Sequence, residues 1–275
     1  MKHMLAAASA LLLSSSLWAA PISLGDAEKY TLLGSNGIVN LGSAADIKGN
    51  VGAANALILG SGVAVHGDAY YRTVVSAPSA TIAGTGTTQG SSTFWSSLVA
   101  DLAKASQQAS ALGGKNQGSI MSNTVLKSSG DLSVFSYNNL LLSGGKSLTL
   151  KGKAGDQFII NISGNFMLGG GAAIILDGIS ADDVLFNYTG SNFNVAAGTM
   201  AGNFLAPNAT MVLGDGLHLD GVRFLAQGII GNLQTVHGLT VRDTPPTNPV
   251  PEPASLALVA LGLLGTGLAV RRRRR

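Results

Sequence analysis

The fold is decided by alternating side chains, and the alternation is clearest in the stretch Asp156-Gln157-Phe158-Ile159-Ile160-Asn161-Ile162-Ser163-Gly164. Phe158, Ile160 and Ile162 would face one side of an extended chain, and the residues between them would face the other. The same period of two returns in two later groups, which are Val184, Phe186, Tyr188 and Leu217, Leu219, Val222, Phe224. Glycines separate such runs throughout residues 144–241. Short strands divided by glycine turns predict a mainly β fold, either a sandwich, a barrel or a solenoid.

The charge of the chain is low and lies mostly at its ends. Of 275 residues, 46% are hydrophobic and 11% are charged, and the formal net charge is +3. Without Lys2, Glu252 and the five C-terminal arginines, the rest of the chain carries 11 basic and 13 acidic residues, a net charge of −2. That balance argues against a nucleic-acid partner, because binding requires clustered basic residues on the folded domain.

Cysteine is absent from the chain. Disulfides, zinc–thiolate sites and a cysteine nucleophile are therefore excluded. A secreted protein of this length can fold without disulfides, since its hydrophobic core is large enough.

The N-terminal segment has the features of a secretory signal peptide. A basic start is followed by an apolar run over residues 4–13 and by small residues up to Ala20. This order predicts a signal helix over residues 1–19, removed by cleavage after Ala19, because cleavage one residue later would leave Pro21 at the new N-terminus. The alternative is an N-terminal core helix.

The C-terminal segment has three parts. Residues 244–249 form a proline-bearing linker, residues 250–253 read Val-Pro-Glu-Pro, and residues 254–270 are apolar and precede the arginines. A helix over that apolar run would rise about 25 Å, slightly less than a bilayer core, and arginine side chains can reach the interface. The five cations would hold this end in the cytoplasm. A transmembrane helix is therefore predicted, either as a permanent membrane anchor or as a segment that is later processed.

The tail of residues 250–275 resembles the PEP-CTERM sorting signal. The resemblance rests on Pro251, Glu252 and Pro253, on the apolar run, and on the cluster Arg271, Arg272, Arg273, Arg274 and Arg275. It implies sorting by an exosortase at the inner membrane of a Gram-negative bacterium that makes exopolysaccharide. It further implies that Pro251, Glu252 and Pro253 are the recognition residues and that the protein reaches the cell surface or the extracellular matrix.

One segment has the periodicity of a helix. Its apolar residues recur at intervals of three and four, and they are Phe94, Leu98, Leu102, Ala105, Ala109 and Leu112. The spacing predicts one amphipathic helix over residues 92–112, with Ser91 or Ser92 as its N-cap and Gly113-Gly114 at its end. Lys104 is the one basic residue on the polar side, which favours packing along the β body over binding to a membrane surface.

Strand-like runs also precede this helix, and they are residues 30–33, 38–41, 47–51, 57–59 and 63–65. No strict period relates them to the later strands, so the chain is not a regular repeat array. Strands that recur without a fixed spacing fit an irregular solenoid, in which each turn buries one face against the next.

The second half of the chain resembles the choice-of-anchor A domain. The resemblance rests on residues 156–164, on Asp183-Val184-Leu185-Phe186-Asn187-Tyr188, and on Asn203-Phe204-Leu205-Ala206-Pro207-Asn208-Ala209-Thr210, and it extends over residues 26–241. It implies an ice-binding-like adhesive fold, which is a right-handed β-solenoid with one long helix alongside, in a domain of residues 20–243. Members of this family are adhesive surface proteins with interchangeable anchors, and no catalytic residues come with the resemblance.

Candidate metal ligands are few. The histidines at positions 66, 218 and 237 lack the paired spacing of a zinc site, although His66-Gly67-Asp68 and His218-Leu219-Asp220 could meet on stacked turns. Asp177, Asp182 and Asp183 crowd near one turn without the alternation of a calcium loop, which favours turn formation over metal binding. We therefore predict no metal, no cofactor and no catalytic residue.

Two other functions remain as alternatives. A polysaccharide-modifying β-helix enzyme would need paired aspartates, because Glu28 is the one glutamate in residues 20–243. An ice-binding protein would need rows of threonine or small residues, but Thr85, Thr87 and Thr88 form the one dense cluster, and Thr149 and Thr210 are isolated.

The sequence thus predicts an exported, non-enzymatic β-solenoid with an adhesive or structural role. Its expected partners are the exosortase and the inner membrane during sorting, and afterwards exopolysaccharide or cell-surface glycans.

Overall fold

The computed structural model describes residues 22–239, in which parallel strands wind into a solenoid and one helix runs along its side. Eight strands precede the helix: Tyr30–Gly34 (β1), Val39–Leu41 (β2), Asp46–Lys48 (β3), Asn50–Leu59 (β4), Ala64–Val65 (β5), Ala69–Ser76 (β6), Thr81–Ile82 (β7) and Gly86–Thr88 (β8). The helix, α1, spans Ser92–Ala111. Eleven strands follow it: Ser119–Ile120 (β9), Thr124–Lys127 (β10), Leu132–Tyr137 (β11), Asn139–Leu142 (β12), Ser147–Lys151 (β13), Gln157–Ile162 (β14), Asn165–Leu168 (β15), Ala173–Asp177 (β16), Val184–Tyr188 (β17), Asn192–Gly231 (β18) and Thr235–Gly238 (β19). Two short 3-10 helices, Gly25–Lys29 and Ala181–Asp183, complete the described elements.

The strands stack in three columns, which give the solenoid three faces. The first, which we call the helix face, contains β1, β8, β11, β14 and β17. The second, the open face, contains β2, β9, β12 and β15. The third face contains β3, β5, β7, β10, β13, β16 and β19. The longer segments β4, β6 and β18 pass around corners and contribute to more than one face. The predicted solenoid is therefore confirmed.

The turns of the solenoid have two lengths. Before the helix, Val39 lies beside Leu57, which is 18 residues later, whereas after the helix Phe158 lies beside Val184, which is 26 residues later. This difference explains why the sequence shows no strict period.

The order of the turns in space differs from their order in the chain. Leu32 of β1 lies beside Phe224 near the end of β18, so the first turn stacks on the last one. From there the turns before the helix proceed to β8 at one end of the solenoid. Helix α1 then connects to β9, and the later turns stack back toward β1.

The core is built from the inward half of each alternating strand. Phe158, Ile160 and Ile162 are buried as the period of two predicts. Aromatic rings form a column through consecutive turns, with ring centroids 4.8 Å apart between Phe186 and Phe204 and 5.3 Å apart between Phe204 and Phe224. These distances match the spacing of neighbouring strands, so equivalent residues of successive turns stack directly on one another.

Helix α1 packs on the outward side chains of the helix face. Ser91 is its N-cap and accepts a hydrogen bond from the main-chain nitrogen of Phe94 at 3.3 Å. Trp95, Leu98, Leu102, Ala105 and Ala109 of the helix form a second core with outward residues of the strands beneath, which include Leu33, Ile159, Leu185, Leu205 and Leu225. The prediction was wrong for Leu112, which is 42% exposed because the helix ends at Ala111. It also missed Trp95, whose Nε1 donates to the carbonyl oxygen of Gln89 at 2.8 Å.

One predicted strand is interrupted by a corner. Residues 47–51 were expected to form a single strand, but β3 ends at Lys48 and β4 begins at Asn50. Gly49 between them has φ of +144°, and a Cβ at this position would lie 2.0 Å from Oγ1 of Thr31. Glycine is therefore required here both by conformation and by space.

Candidate functional site

The open face exposes a continuous row of side chains. Each turn contributes one outward residue, and the row, which we call the open-face strip, runs Met121, Leu141, Met167, Asn194, Val212, Ile230, Asn40, Ile58 and Val75. Seven of these nine residues are apolar. With neighbouring strands about 4.8 Å apart, nine strands give the strip a length of about 38 Å.

The apolar residues of the strip are exposed because the strand alternation turns them away from the core. Their flanking residues, such as Leu140 and Leu142 beside Leu141, are buried. Met121, Met167 and Val75 are 57%, 46% and 62% exposed, so the strip is open to solvent along its length. Contiguous exposed apolar surface of this kind marks interaction sites in soluble proteins.

Polar side chains accompany the strip over its first turns. The outward residues two positions earlier on each strand form an amide column, which consists of Ser119, Asn139, Asn165 and Asn192. Nδ2 of Asn139 donates to Oγ of Ser119 at 2.9 Å, and Oδ1 of Asn139 accepts from the main-chain nitrogen of Asn165 at 2.8 Å. The hydrogen bonds along the column fix the orientation of these amides beside the apolar strip.

A shallow groove crosses the middle of the strip. It is lined by Asn40, Asn194, Val212, Ile230, Asp215 and Asn232, among others. Asp215 is the one carboxylate in its lining. The groove thus combines apolar walls with amide groups and lacks the paired carboxylates of a glycosidase site.

Charged residues of the described chain lie on the third face instead. Nε2 of His66 lies 2.6 Å from Oδ1 of Asp46, and Nζ of Lys48 lies 3.0 Å from the other carboxylate oxygen. The hydrogen bond from Lys48, aided by one from His66, lowers the pKa of Asp46, although desolvation opposes this effect. A carboxyl group stabilised as an anion is unsuited to act as a general acid at neutral pH.

The two histidine motifs do not meet. Along the third face Asp220 lies beside His237, His237 beside Lys48, and Lys48 beside His66. Two strands therefore separate His66 from Asp220, and Asp68 instead accepts a hydrogen bond from the main-chain nitrogen of Thr85 at 2.8 Å. Within residues 22–239 no group of three or more His, Cys, Asp or Glu residues could hold a metal ion.

The aspartates near one turn have different environments. Asp177 forms an ion pair of 2.5 Å with Nζ of Lys151 on the adjacent strand of the third face. Asp182 and Asp183 lie in the short 3-10 helix before β17 and are partly buried. This separation is consistent with their predicted role in turn formation.

The threonines do not form a row. Thr87 and Thr88 lie on β8 at one end of the solenoid, and Thr149 lies on the third face between Val125 and Ile175. Outward positions of the open face carry Met, Leu, Ile, Val and Asn in the strip.

The predicted sorting and cleavage residues lie outside the described residues. They are Ala19, Pro251, Glu252, Pro253 and Arg271, Arg272, Arg273, Arg274 and Arg275, together with the predicted signal helix and transmembrane helix. Within residues 22–239, no helix combines the length and apolar character needed to cross a membrane.

The open-face strip was missed from the sequence. Leu141 and Met167 are 26 residues apart, and Asn194 follows after 27. A search for apolar residues at this interval, outside the inward phase of each strand, is the signal that would have found part of the strip. It required knowledge of the turn length, which alternation within a strand does not supply.

Comparison with protein-family models gives two matches. Residues 23–237 match the model described as "Putative Ice-binding-like adhesive domain". Residues 249–274 match the PEP-CTERM protein-sorting motif. A search of curated proteins finds no match.

Several solved structures share the fold. An ice-binding protein from the Antarctic ascomycete Antarctomyces psychrotrophicus has a TM-score of 0.58 at 18% identity, covering 80% of this chain and 100% of that one. The ice-binding protein LeIBP from an Arctic yeast has a TM-score of 0.57 at 17% identity, with 80% and 95% covered. The DUF3494 domain of a Shewanella frigidimarina ice-binding protein has a TM-score of 0.55 at 18% identity, with 80% and 98% covered. At these identities the likeness concerns the fold.

Proposed function

The chain belongs to the ice-binding-like adhesive domain family, and from this premise we propose that it is an exported adhesive protein that binds neutral polysaccharide through its open face. Its PEP-CTERM motif implies processing by an exosortase and delivery to the cell surface or the extracellular space. The polysaccharide partner and the contact surface are the new elements of the proposal.

The observation that carries the proposal is the difference between the three faces. Helix α1 covers the helix face, and charged side chains occupy the third face. The outward positions of the open-face strip and amide column are uncharged and uncovered within the described residues. Only this face offers a long surface that a partner can contact without first removing charges from water.

Polysaccharide suits this surface because of its mixed chemistry. A pyranose ring has apolar C–H faces and hydroxyl groups at its edge, so it benefits from an apolar strip with hydrogen-bonding groups beside it. Met167 and Leu141 supply the apolar part, and Asn139 and Asn165 lie one column away. Neighbouring strands repeat this arrangement, which lets an extended chain make the same contact several times.

We assign the sorting roles to the terminal residues. Cleavage after Ala19 would release the N-terminus during export, and Pro251, Glu252 and Pro253 would be recognised by the exosortase. The arginine cluster would hold the C-terminal end in the cytoplasm until processing. Replacing Glu252 with Ala should leave the full-length precursor in the membrane fraction, and normal release of that variant would contradict the assignment.

The test of binding uses residues 20–243, which we call the body fragment. It contains every residue of both hydrophobic cores, and a complete independent protein shares its fold. The fragment should bind neutral glycans on an array and the host exopolysaccharide saturably, and it should release no reducing ends. Turnover that is lost on mutation of an aspartate would instead establish the polysaccharide-modifying enzyme.

Ice binding is the second candidate, and the shared fold with ice-binding proteins favours it. The apolar and amide side chains of the strip argue for the polysaccharide instead, because they replace the threonine rows expected of an ice-binding face. Thermal hysteresis by the body fragment, abolished by Met167→Asp, would move the open face to ice binding. Absence of thermal hysteresis together with saturable glycan binding supports the adhesive role.

A further inference from the structure

The two ends of the solenoid differ in how well their cores are covered. At the end that we call the open end, the last strands are residues 73–76 of β6, β7 and β8. At the opposite, closed end they are β9, β10 and β11. Within the described residues, β7, β8, β9 and β10 each pair with one neighbour only.

The closed end buries its last inward side chains. Ile120, Leu126 and Tyr137 are only 2%, 5% and 6% exposed. The hydroxyl group of Tyr137 donates to Oε1 of Gln117 at 3.1 Å, which fixes this large ring over the core. The closed end therefore needs no further apolar cover.

The open end leaves an inward side chain uncovered. Val74 lies beside Leu57, a fully buried core residue, and so faces the same side of the sheet. It is nevertheless 39% exposed, because no further turn stacks on it, and the adjacent Val75 is 62% exposed. The apolar core thus reaches the surface at this edge.

The main chain of the same strand also has a free edge. Residues 73–76 pair with residues 56–59 on one side, and the main-chain nitrogen of Ala77 donates to the carbonyl oxygen of Leu59 at 2.9 Å. Amide groups of a strand alternate in direction, so those of Val74 and Ser76 point away from β4. Arg72 is the one charged residue between positions 69 and 90, so the edge lacks the charges that usually prevent strand pairing.

We propose that the open end binds a second copy of this chain through antiparallel pairing of residues 72–76, forming a two-fold symmetric dimer. A free apolar edge strand is a template for another strand, and a symmetric contact requires only the surface that is already present. The linker over residues 244–249 is a poor substitute, because prolines at positions 245, 246 and 249 cannot donate ladder hydrogen bonds.

The closed end explains why the contact is symmetric and not head-to-tail. A head-to-tail contact would place Val74 against the end where Ile120 is already covered. In the symmetric contact two uncovered edges bury each other. The same pairing stops at two copies, because it leaves the closed ends outward.

The register follows from the alternation of the strand. Centring the pair on Val74 places each Val74 side chain against its symmetry mate, and directs the amides of residues 72, 74 and 76 to carbonyl groups of the partner. Centring it on Val75 would place Val74 opposite Ser76 and bury less apolar surface. The two copies of Val74 would then have Cα atoms about 5.5 Å apart.

The dimer would align the two open faces. Because residues 73–76 belong to the open-face column, the two strips would continue across the contact and double in length. This consequence is separate from the dimer itself, which does not depend on what the strip binds.

The absence of cysteine allows a direct test by single cysteine variants of the body fragment. A separation of about 5.5 Å between Cα atoms permits a disulfide. Val74→Cys should therefore give a covalent dimer under mild oxidation at concentrations where Val125→Cys does not. Val125 is the matched control, because it is 56% exposed on β10 at the closed end.

Sedimentation velocity of the unmodified fragment gives the second readout. It should show a monomer–dimer equilibrium, with dimer lost in Val74→Lys and retained in Val125→Lys, because two lysines cannot pair at the symmetry axis. Only monomer at all concentrations, growth beyond a dimer, or equal cross-linking of Val74→Cys and Val125→Cys would each overturn the proposal.

Discussion

Arg223, on the last turn of the solenoid, donates a hydrogen bond from Nε to the main-chain carbonyl oxygen of Tyr30 on the first strand at 3.1 Å. Nη1 of Arg223 also donates to the side-chain oxygen of Asn203, and Arg223 is only 6% exposed. Burial lowers the pKa of this guanidinium group, while the charges of Asp182 and Glu28 oppose that effect. A buried cation therefore joins the two ends of the described chain at the seam where the first turn stacks on the last.

We expect Arg223→Ala to lower the free energy of unfolding by about 2–4 kcal/mol, because the carbonyl group of Tyr30 and the amide of Asn203 would lose a buried partner. Arg72→Ala is the control, since Arg72 is exposed, and it should change stability by less than about 0.5 kcal/mol. Urea denaturation of the body fragment measures both values. Equal stability of the two variants would contradict a structural role for the seam.

Asn187 fixes helix α1 to the solenoid. This fully buried amide accepts from Oγ of Ser106 at 2.7 Å and donates to the carbonyl oxygen of Ser106 at 3.1 Å and to Oδ1 of Asn161 at 2.8 Å. Asn187→Leu should cost about 2–3 kcal/mol, because buried polar groups on the helix and the strand would remain unpaired. It should also speed cleavage by trypsin after Lys104, whereas Asn208→Leu at an exposed position should not. Unchanged cleavage of the Asn187 variant would refute this role.

Gly49 permits the corner between β3 and β4. Gly49→Ala should destabilise the body fragment by about 2–4 kcal/mol, because the new Cβ would be 2.0 Å from Oγ1 of Thr31 at a φ of +144°. Gly90→Ala is the matched control, since no atom lies within 4 Å of a Cβ built there. Thermal unfolding compares the two, and similar midpoints would show that the corner tolerates a side chain.

Tyr30 should make the protein sensitive to alkaline pH. Burial raises the pKa of Tyr30 above its ordinary value of 10.0, with smaller contributions from Tyr70 and Asp26. Above pH 10 the unfolded chain loses this proton first, so stability falls as pH rises, by up to about 1.4 kcal/mol per pH unit for this group. Below pH 10 both states keep the proton and the contribution is constant. Tyr30→Phe should therefore lose less stability than the unmodified protein between pH 9 and 11, as followed by urea denaturation, and parallel losses would exclude this assignment.

The local elements of the fold could be predicted from the sequence because their causes are local. Alternation placed Phe158, Ile160 and Ile162 in the core, and the spacing of Leu98 and Leu102 identified the buried side of the helix. The split at Gly49 was missed, because a glycine that turns a corner cannot be told from one that continues an extended strand until its φ is known.

The arrangement of turns could not be predicted, because it depends on contacts between distant residues. Leu32 and Phe224 are 192 positions apart, and nothing near either residue specifies the other. The open-face strip depends on this arrangement and on which outward side chains the helix covers. Ile159 and Met167 both point outward from their strands, yet Ile159 is buried beneath α1 and Met167 is exposed.

The central claim, that the open face is the adhesive surface, is tested most directly by comparing two charge substitutions in polysaccharide binding. Met167 on the open face and Ile175 on the third face are 46% and 43% exposed, so aspartate at either position should cost little stability. We expect Met167→Asp to weaken binding of the body fragment to the host exopolysaccharide at least about tenfold, which is about 1.4 kcal/mol, and Ile175→Asp to bind like the unmodified protein. Equal binding by both variants, or a loss confined to Ile175→Asp, would contradict the claim.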